Sequence, residues 1–179
     1  MAGATNPNTV DRDRFANLAT KLDRKTIKVA LIVAPYYRDV ADALEAGARA
    51  ELDKAGCQIE RVEVPGALEL PLALQILAMS DGVNELAGAI LIGCVIRGET
   101  SHYDIVCETA NRFAMQVAIE AQLPLGNALL TVDTHDQAMA RAAGSQGGKG
   151  ADAARAVLSL IELDSKFSRF DDDYDEMSA

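Results

Sequence analysis

Four short apolar runs, each followed by a stretch of helical periodicity, constrain this chain more than any other feature. The first run, Lys28-Val-Ala-Leu-Ile-Val-Ala34, has the length of a strand. Val40, Leu44, Ala48 and Leu52 follow at four-residue steps, which puts them on one face of a helix. Gly56 stands where such a helix ends. Ile59, Val62 and Val64 mark a second strand, closed by Pro65-Gly66, and residues 70–79 read as a helix with Pro71 tolerated in its first turn. Residues 88–93 form a third, buried strand, and residues 104–121 a long helix that breaks before Pro124. Residues 128–132 give a fourth strand, 136–143 a short helix, 144–150 a loop and 151–167 the last helix, with Ala154, Val157, Leu158 and Ile161 on one face. Strand and helix alternating in this order predict an α/β domain. Its sheet is parallel, its crossovers right-handed, and helices cover both faces.

A chain of 179 residues is long enough for one domain with a substantial core. Aromatic residues are 4% and Trp is absent, so Ala, Val, Leu and Ile must build that core. Residues 1–26 are expected to form a polar arm in which Phe15, Leu18 and Leu22 recur at helical spacing. Residues 27–168 then make the folded domain, and residues 169–179, dense in Asp, a solvated acidic tail. The net charge of -10 argues against nucleic acid and anionic membranes as partners. No apolar run reaches the length of a membrane span. Cys57, Cys94 and Cys107 are odd in number and widely spaced, which reads as reduced thiols in a cytoplasmic protein.

Ligands of parallel sheets sit beyond the carboxyl ends of the strands, so four loops carry the chemistry. The richest is Gly93-Cys-Val-Ile-Arg-Gly-Glu-Thr-Ser-His-Tyr-Asp104. It precedes a long helix, whose first backbone N–H groups suit an anion. Thr100 and Ser101 add hydroxyls, and His102 at the junction is a natural proton carrier near neutral pH. A lone histidine in that position is more often a surface cap than a catalyst. In Val64-Pro-Gly-Ala-Leu-Glu-Leu-Pro71, Glu69 opens a helix. Its carboxylate serves either the helix dipole or the hydroxyls of a ligand, and spacing does not choose between them. Tyr36 and Tyr37 follow the first strand and offer rings for stacking on a flat heterocycle. After the fourth strand, Arg141 presents a planar fork suited to phosphate, and Lys149 lies between glycines; an ordinary surface Arg and Lys are the plainer reading. His135 reads as a helix-start residue. No cluster has metal-ligand spacing, and neither a P-loop nor a dinucleotide fingerprint is present. The residues alone lead to an acidic α/β domain with a phosphate and proton-transfer site.

Three motifs together resemble the lumazine synthase family. They are Pro65-Gly-Ala-Leu-Glu-Leu-Pro71, the 93–104 loop, and Gln137 and Arg141 followed by Gly148-Lys-Gly150, in the family's order and spacing over about residues 28–167. The resemblance implies a flavodoxin-like three-layer sandwich on a four-stranded parallel sheet, assembled as a homopentamer. It implies condensation of 5-amino-6-(D-ribitylamino)uracil with 3,4-dihydroxy-2-butanone 4-phosphate, a step of riboflavin biosynthesis, with no metal and no organic cofactor. His102 then matches the proton-transfer histidine. Arg141 matches the phosphate-binding arginine, with Glu99 and Thr100 beside it. Ala67, Leu68, Glu69, Cys94, Val95 and Ile96 match the lining of the ribitylaminouracil site, and Lys149 a lysine near it. Tyr36 falls where the family places a stacking aromatic. The chain departs from the pattern at Tyr37, where Asn is common, and at Asn127, where many members have Phe. Asn127 is expected at the part of the site contributed across a subunit boundary. A binding protein that does not turn its ligand over, a purely structural shell protein, and a generic phosphosugar enzyme of the same fold are the rival readings. Retention of both His102 and Arg141 argues against the first, Arg141 and Glu69 against the second, and the Pro-Gly-Ala-Leu-Glu-Leu-Pro motif against the third.

Overall fold

The computed structural model describes residues 13–24, 26–80, 86–144 and 147–176, with side chains described up to residue 167. Four strands form a single parallel sheet: β1 (Ile27–Ala34), β2 (Cys57–Glu63), β3 (Gly88–Ile96) and β4 (Leu125–Val132), in the spatial order β2-β1-β3-β4. Among the described residues six helices accompany them: α1 (Leu18–Lys21), α2 (Arg38–Ala55), α3 (Leu70–Ala78), α4 (His102–Glu120), α5 (His135–Ala142) and α6 (Gly148–Glu176). A single 3-10 turn, Ala67–Glu69, leads into α3. This is the expected flavodoxin-like α/β arrangement.

The two faces of the sheet carry separate cores. On one, Ile27, Val29, Leu31 and Val33 of β1 and Ile90 and Ile92 of β3 meet Leu44 and Leu52 of α2 and Val157 and Leu158 of α6. On the other, Ala30 and Ile32 of β1 and Ala89 and Leu91 of β3 meet Leu70 and Leu74 of α3 and Ala110, Ala114 and Ala118 of α4. All eight residues of β1 are buried, as a strand covered on both faces requires. The alanines of α4 recur every four residues, so that helix presents a smooth stripe to the sheet.

Helices α2 and α6 approach closely because glycines face each other where they cross. A Cβ on Gly150 would overlap the carbonyl oxygen of Leu44, and one on Gly47 the carbonyl oxygen of Gly147. Beside the crossing, the half-sheltered Arg155 joins Glu51 of α2 at 3.1 Å and Asp152 at 2.6 Å. Gly56 ends α2 in the left-handed conformation, φ 74°, with its N–H turned back to the carbonyls of Leu52 and Asp53.

The sequence expectations shift at four places. β3 runs to Ile96 rather than stopping at Gly93, since Cys94, Val95 and Ile96 pair with Leu130, Thr131 and Val132. β4 begins at Leu125, three residues early, because pairing with Ala89 and Ile90 extends it through Gly126 and the polar Asn127. α4 begins at His102 rather than residue 104. α6 begins at Gly148, so Lys149 and Gly150 lie in its first turn and not in a loop, and it continues to Glu176, where a solvated tail was expected. No Gly or Pro after Gly150 interrupts that helix.

At the amino end, residues 1–12 of the expected arm lie outside the described residues. Phe15 and Leu18 are buried against the α2 face, Asn17 donates its backbone N–H to Lys54, and Arg14 pairs with Glu162 of α6. Residues 177–179 of the acidic tail also lie outside the described residues.

Gly150→Ala is expected to force α2 and α6 apart and to cost about 1–3 kcal/mol or more through overpacking. The urea midpoint measures it; a midpoint equal to the parent's would show that the crossing yields freely.

Candidate functional site

Parallel pairing of β1 with β3 sets Ala34 beside Gly93, so the chain leaves both central strands at one end of the sheet. A pocket of about 310 Å³ opens there, at the lower end of ligand-site sizes. Its wall takes Tyr36 and Tyr37 after β1, Gly66, Ala67, Leu68 and Glu69 after β2, Cys94, Val95 and Ile96 from β3, and His102 and Val106 from α4.

Each wall has a local cause. Pro65-Gly66 turns the chain off β2 in extended backbone, and Val64 is still tied to Val33 by a 2.9 Å backbone bond. The 3-10 turn then brings Glu69 back over Gly66, and a Cβ at residue 66 would stand 3.1 Å from the Glu69 carboxylate. Glycine leaves the room in which this carboxylate lies. Tyr37 is half-buried, with the ring of the exposed Tyr36 set edge-on at 5.1 Å and that of His135 at 6.4 Å. His135 opens α5 as expected and reaches Asp39 at 2.8 Å. Burial, then the neighbouring Tyr36 and Cys94, raise the Tyr37 hydroxyl above its ordinary range, so it stays protonated at neutral pH. His102 is the first residue of α4; its backbone N–H meets Thr100 Oγ1 at 3.4 Å, and its exposed ring borders the pocket. Val106, one turn on, continues the same helix face into the pocket.

Eight of the thirteen expected site residues therefore meet in one pocket: Tyr36, Ala67, Leu68, Glu69, Cys94, Val95, Ile96 and His102. Glu99 and Thr100 are exposed on the adjoining loop. Asn127, Arg141 and Lys149 do not line the pocket. Asn127 lies on the edge strand β4, donating to Asn111 Oδ1 at 2.6 Å and accepting from the Leu129 N–H at 2.9 Å. Arg141 is exposed in the last turn of α5, where its Nη1 donates to the Gln137 carbonyl at 3.1 Å. Lys149 reaches Asp152 at 2.8 Å. Burial opposes ionisation of Asp152, but the hydrogen bonds from Lys149 and Arg155 outweigh it and hold this carboxyl below the usual range.

Gly66 and Val106 are not singled out by the sequence as lining residues, and Tyr37, raised there only as a candidate stacking ring beside Tyr36, joins them in the wall. Tyr37 adjoined a residue already chosen, and Val106 stood four residues after His102 on a predicted helix, so both carried a usable signal. Among the described residues no group of three His, Cys, Asp or Glu side chains has an arrangement that could hold a metal ion. No described helix is long and apolar enough to cross a membrane. A larger cleft, about 670 Å³, lies at the opposite end of the sheet and is lined by Arg24, Leu123, Pro124 and Ile161 among others. It adjoins none of the motif residues.

Residues 26–165 match the family model described as 6,7-dimethyl-8-ribityllumazine synthase. A relative of that name from Beijerinckia indica is 47% identical over 139 residues, covering 78% of this chain and 76% of its own. One from Methylorubrum populi is 46% identical over 138 residues, 76% of this chain and 82% of its own. A protein named 6,7-dimethyl-8-ribityllumazine synthase 1 from Rhizobium meliloti is 44% identical over 141 residues, 78% of this chain and 92% of its own.

The three thiols carry a pH signature. Burial first, and the nearby Asp39 and Cys107 next, push Cys94 up to about 11, and burial with Asp53 pushes Cys57 up to about 11. Cys107 is raised too, chiefly by burial. All three are neutral thiols at pH 8, where an ordinary cysteine, with a pKa of about 8.5, is partly ionised. Folded protein at pH 8 should react sluggishly with a disulfide reagent and expose three thiols on unfolding in guanidinium. Rapid reaction of Cys94 in the folded state would contradict the burial assigned to it.

Proposed function

The chain belongs to the 6,7-dimethyl-8-ribityllumazine synthase family, and we propose that it condenses 5-amino-6-(D-ribitylamino)uracil with 3,4-dihydroxy-2-butanone 4-phosphate. The observation that carries this reading is the convergence of His102 with Tyr36, residues 67–69 and residues 94–96 on one pocket. The pyrimidine lies against the backbone of residues 94–96 and stacks on Tyr36, while Glu69 accepts from the ribityl hydroxyls. Glu99, Thr100 and the start of α4 receive the phosphate of the second substrate, since the first N–H groups of a helix favour an anion. The 5-amino nitrogen attacks the ketone and water leaves to give an imine. Loss of the C3 proton beside the imine expels inorganic phosphate from C4, and the enol left behind takes up a proton at C4 to become a C3 ketone. The ribitylamino nitrogen then closes the ring on the remaining carbonyl, and a second water departs. His102, at the mouth of the pocket, carries protons between these steps. Holding two substrates together supplies much of the acceleration, and a general acid–base group contributes on the order of 10²–10⁴-fold.

The same reading makes the active form a homopentamer with shared sites. The support is twofold. Leu72 and Ile76 on α3 and Met79 just past its end are 59%, 71% and 71% exposed, and Ile105, Met115 and Ile119 stand exposed on the neighbouring α4. Such exposed apolar side chains suit a partner surface, and five-fold repetition of one heterologous contact closes a ring. Moreover, Asn127, Arg141 and Lys149 lie off the pocket of their own chain, as residues serving a neighbour's pocket would. Arg141 has no ion pair among the described residues, which leaves its charge for a phosphate. Residues 27–168 are the working domain on this reading. The reduced state of Cys57, Cys94 and Cys107, all unpaired, supports a cytoplasmic setting.

Incubating the protein with both substrates and following lumazine absorbance tests the reaction; no absorbance change under conditions that keep the chain folded would end the proposal. His102→Ala should lower kcat by about 10²–10⁴-fold while leaving ribitylaminouracil affinity nearly intact. Parent-like turnover across the pH range would remove histidine from the mechanism. Mixing His102→Ala chains with Arg141→Ala chains should restore activity above either variant alone if neighbouring subunits share a site. Activity no higher than the parents' sum, in assemblies shown by light scattering to be mixed, would assign both residues to one subunit.

A further inference from the structure

The loop that carries His102 is closed by a clamp. Arg97 stands just before it, directly after the last residue of β3, and Asp104 just after, in the first turn of α4. The guanidinium of Arg97 takes both carboxylate oxygens of Asp104, Nη2 to Oδ1 at 3.0 Å and Nη1 to Oδ2 at 3.4 Å. Its Nε donates to Asp133 Oδ1 at 3.2 Å, and its backbone N–H to the Val132 carbonyl at 2.8 Å. The guanidinium carbon lies 4.0 Å from the centroid of the Tyr103 ring. One side chain thus ties together both ends of the six-residue segment 98–103, the carboxyl end of β4 and an aromatic ring next to His102.

Each single ion pair here is exposed and would contribute little by itself. The arrangement gains from geometry. A planar fork that is bidentate to one carboxylate, bonded to a second and stacked on a ring has few alternative orientations. Gly98 has no atom within 4 Å of where a Cβ would be, and Glu99, Thr100 and Ser101 are all exposed. Packing therefore does little to fix the tip of this loop, and its conformation rests on its two ends. Two carboxylates already answer the charge of Arg97, so it is poorly suited to bind a phosphate itself.

We propose that Arg97 is a positioning residue, which acts by locking the 98–103 loop so that His102 and the amino end of α4 face the same substrate. This rests on the functional reading above. In the full chain, Arg97→Gln should lower kcat on the order of 10²-fold, the effect of misplacing reacting groups by about an ångström, and should raise the KM for the butanone phosphate. The Kd for ribitylaminouracil, measured by titration, should stay within about twofold, because the groups at 67–69 and 94–96 are untouched. Arg97→Lys keeps the charge and loses the fork, so it should resemble Arg97→Gln more than the parent. Adding Asp104→Asn to Arg97→Gln should cost little more than Arg97→Gln alone. Parent-like kcat in folded Arg97→Gln, full recovery by Arg97→Lys, an equal loss of ribitylaminouracil affinity, or additive losses in the double variant would each overturn the clamp. Amide hydrogen exchange tests it apart from catalysis. Arg97→Gln should speed exchange at residues 98–103 by about tenfold or more while β3 and the later turns of α4 stay protected; unchanged exchange there would overturn it. If the parent chain forms no lumazine, the functional reading fails and the exchange result alone decides the clamp.

Discussion

The in-register pairing of β1 with β3 is the constraint on which the rest of the structure depends. From these adjacent strands the chain departs in opposite senses. After β1 it crosses to α2 and the edge strand β2, on the face shared with α6; after β3 it crosses to α4 and the other edge, β4, on the opposite face. Two crossovers that start side by side and diverge to opposite faces leave a crevice between their first loops. The pocket occupies that crevice. Its aromatic wall comes from the loop after β1, its histidine from the helix after β3, and the 3-10 turn after β2 closes the third side. No individual residue need be special for a cleft to form there; the strand order makes it.

What fills the cleft was legible because function had marked the sequence with unusual combinations. Pro65-Gly66 followed by Glu69, and Gly98 through His102 before a long helix, stand out from the Ala-rich background. Element types were also legible, since burial on two faces gives apolar runs and burial on one gives four-residue steps. Boundaries were harder. The apolar Cys94, Val95 and Ile96 belong to a motif that reads as a loop, and only their partners on β4 make them strand. Gly148 and Gly150 read as loop residues because glycine signals flexibility, whereas here Gly148 marks the close approach of α6 to the Arg141 and Ala142 carbonyls at the end of α5, and Gly150 the close crossing of α6 over α2. A residue's own propensity cannot reveal a contact made forty or a hundred positions away.

The polar pair at Asn111 and Asn127 shows a second limit. Where the resemblance calls for an aromatic side chain, Asn127 binds an asparagine on α4 and the N–H two residues ahead on its own strand. Asn111 in turn donates to the Cys107 carbonyl at 2.8 Å. Each amide is satisfied within the chain, so the substitution leaves no polar group seeking a partner. It removes apolar area from an exposed strand edge, and a ligand or subunit meeting that edge gains less from burial there.

Charge placement separates Arg97 from Arg141, although composition treats them alike. The chain carries 27 acidic and 17 basic side chains, so a cation that is to meet a dianionic phosphate must be kept from the surrounding carboxylates. Arg97 is not kept from them: Asp104 and Asp133 both hold it, and their hydrogen bonds keep its guanidinium firmly protonated. Arg141 spends one donor on the Gln137 carbonyl of its own helix, a neutral acceptor that orients the fork without neutralising it. The carbonyl ends of α5 then favour its positive charge. One arginine is thereby held by carboxylates, and the other keeps its charge for the phosphate that the proposed function assigns to it. The difference lies in which acceptors the fold sets beside each, a property of the β3–β4 pairing and the start of α5 rather than of the arginine residue itself.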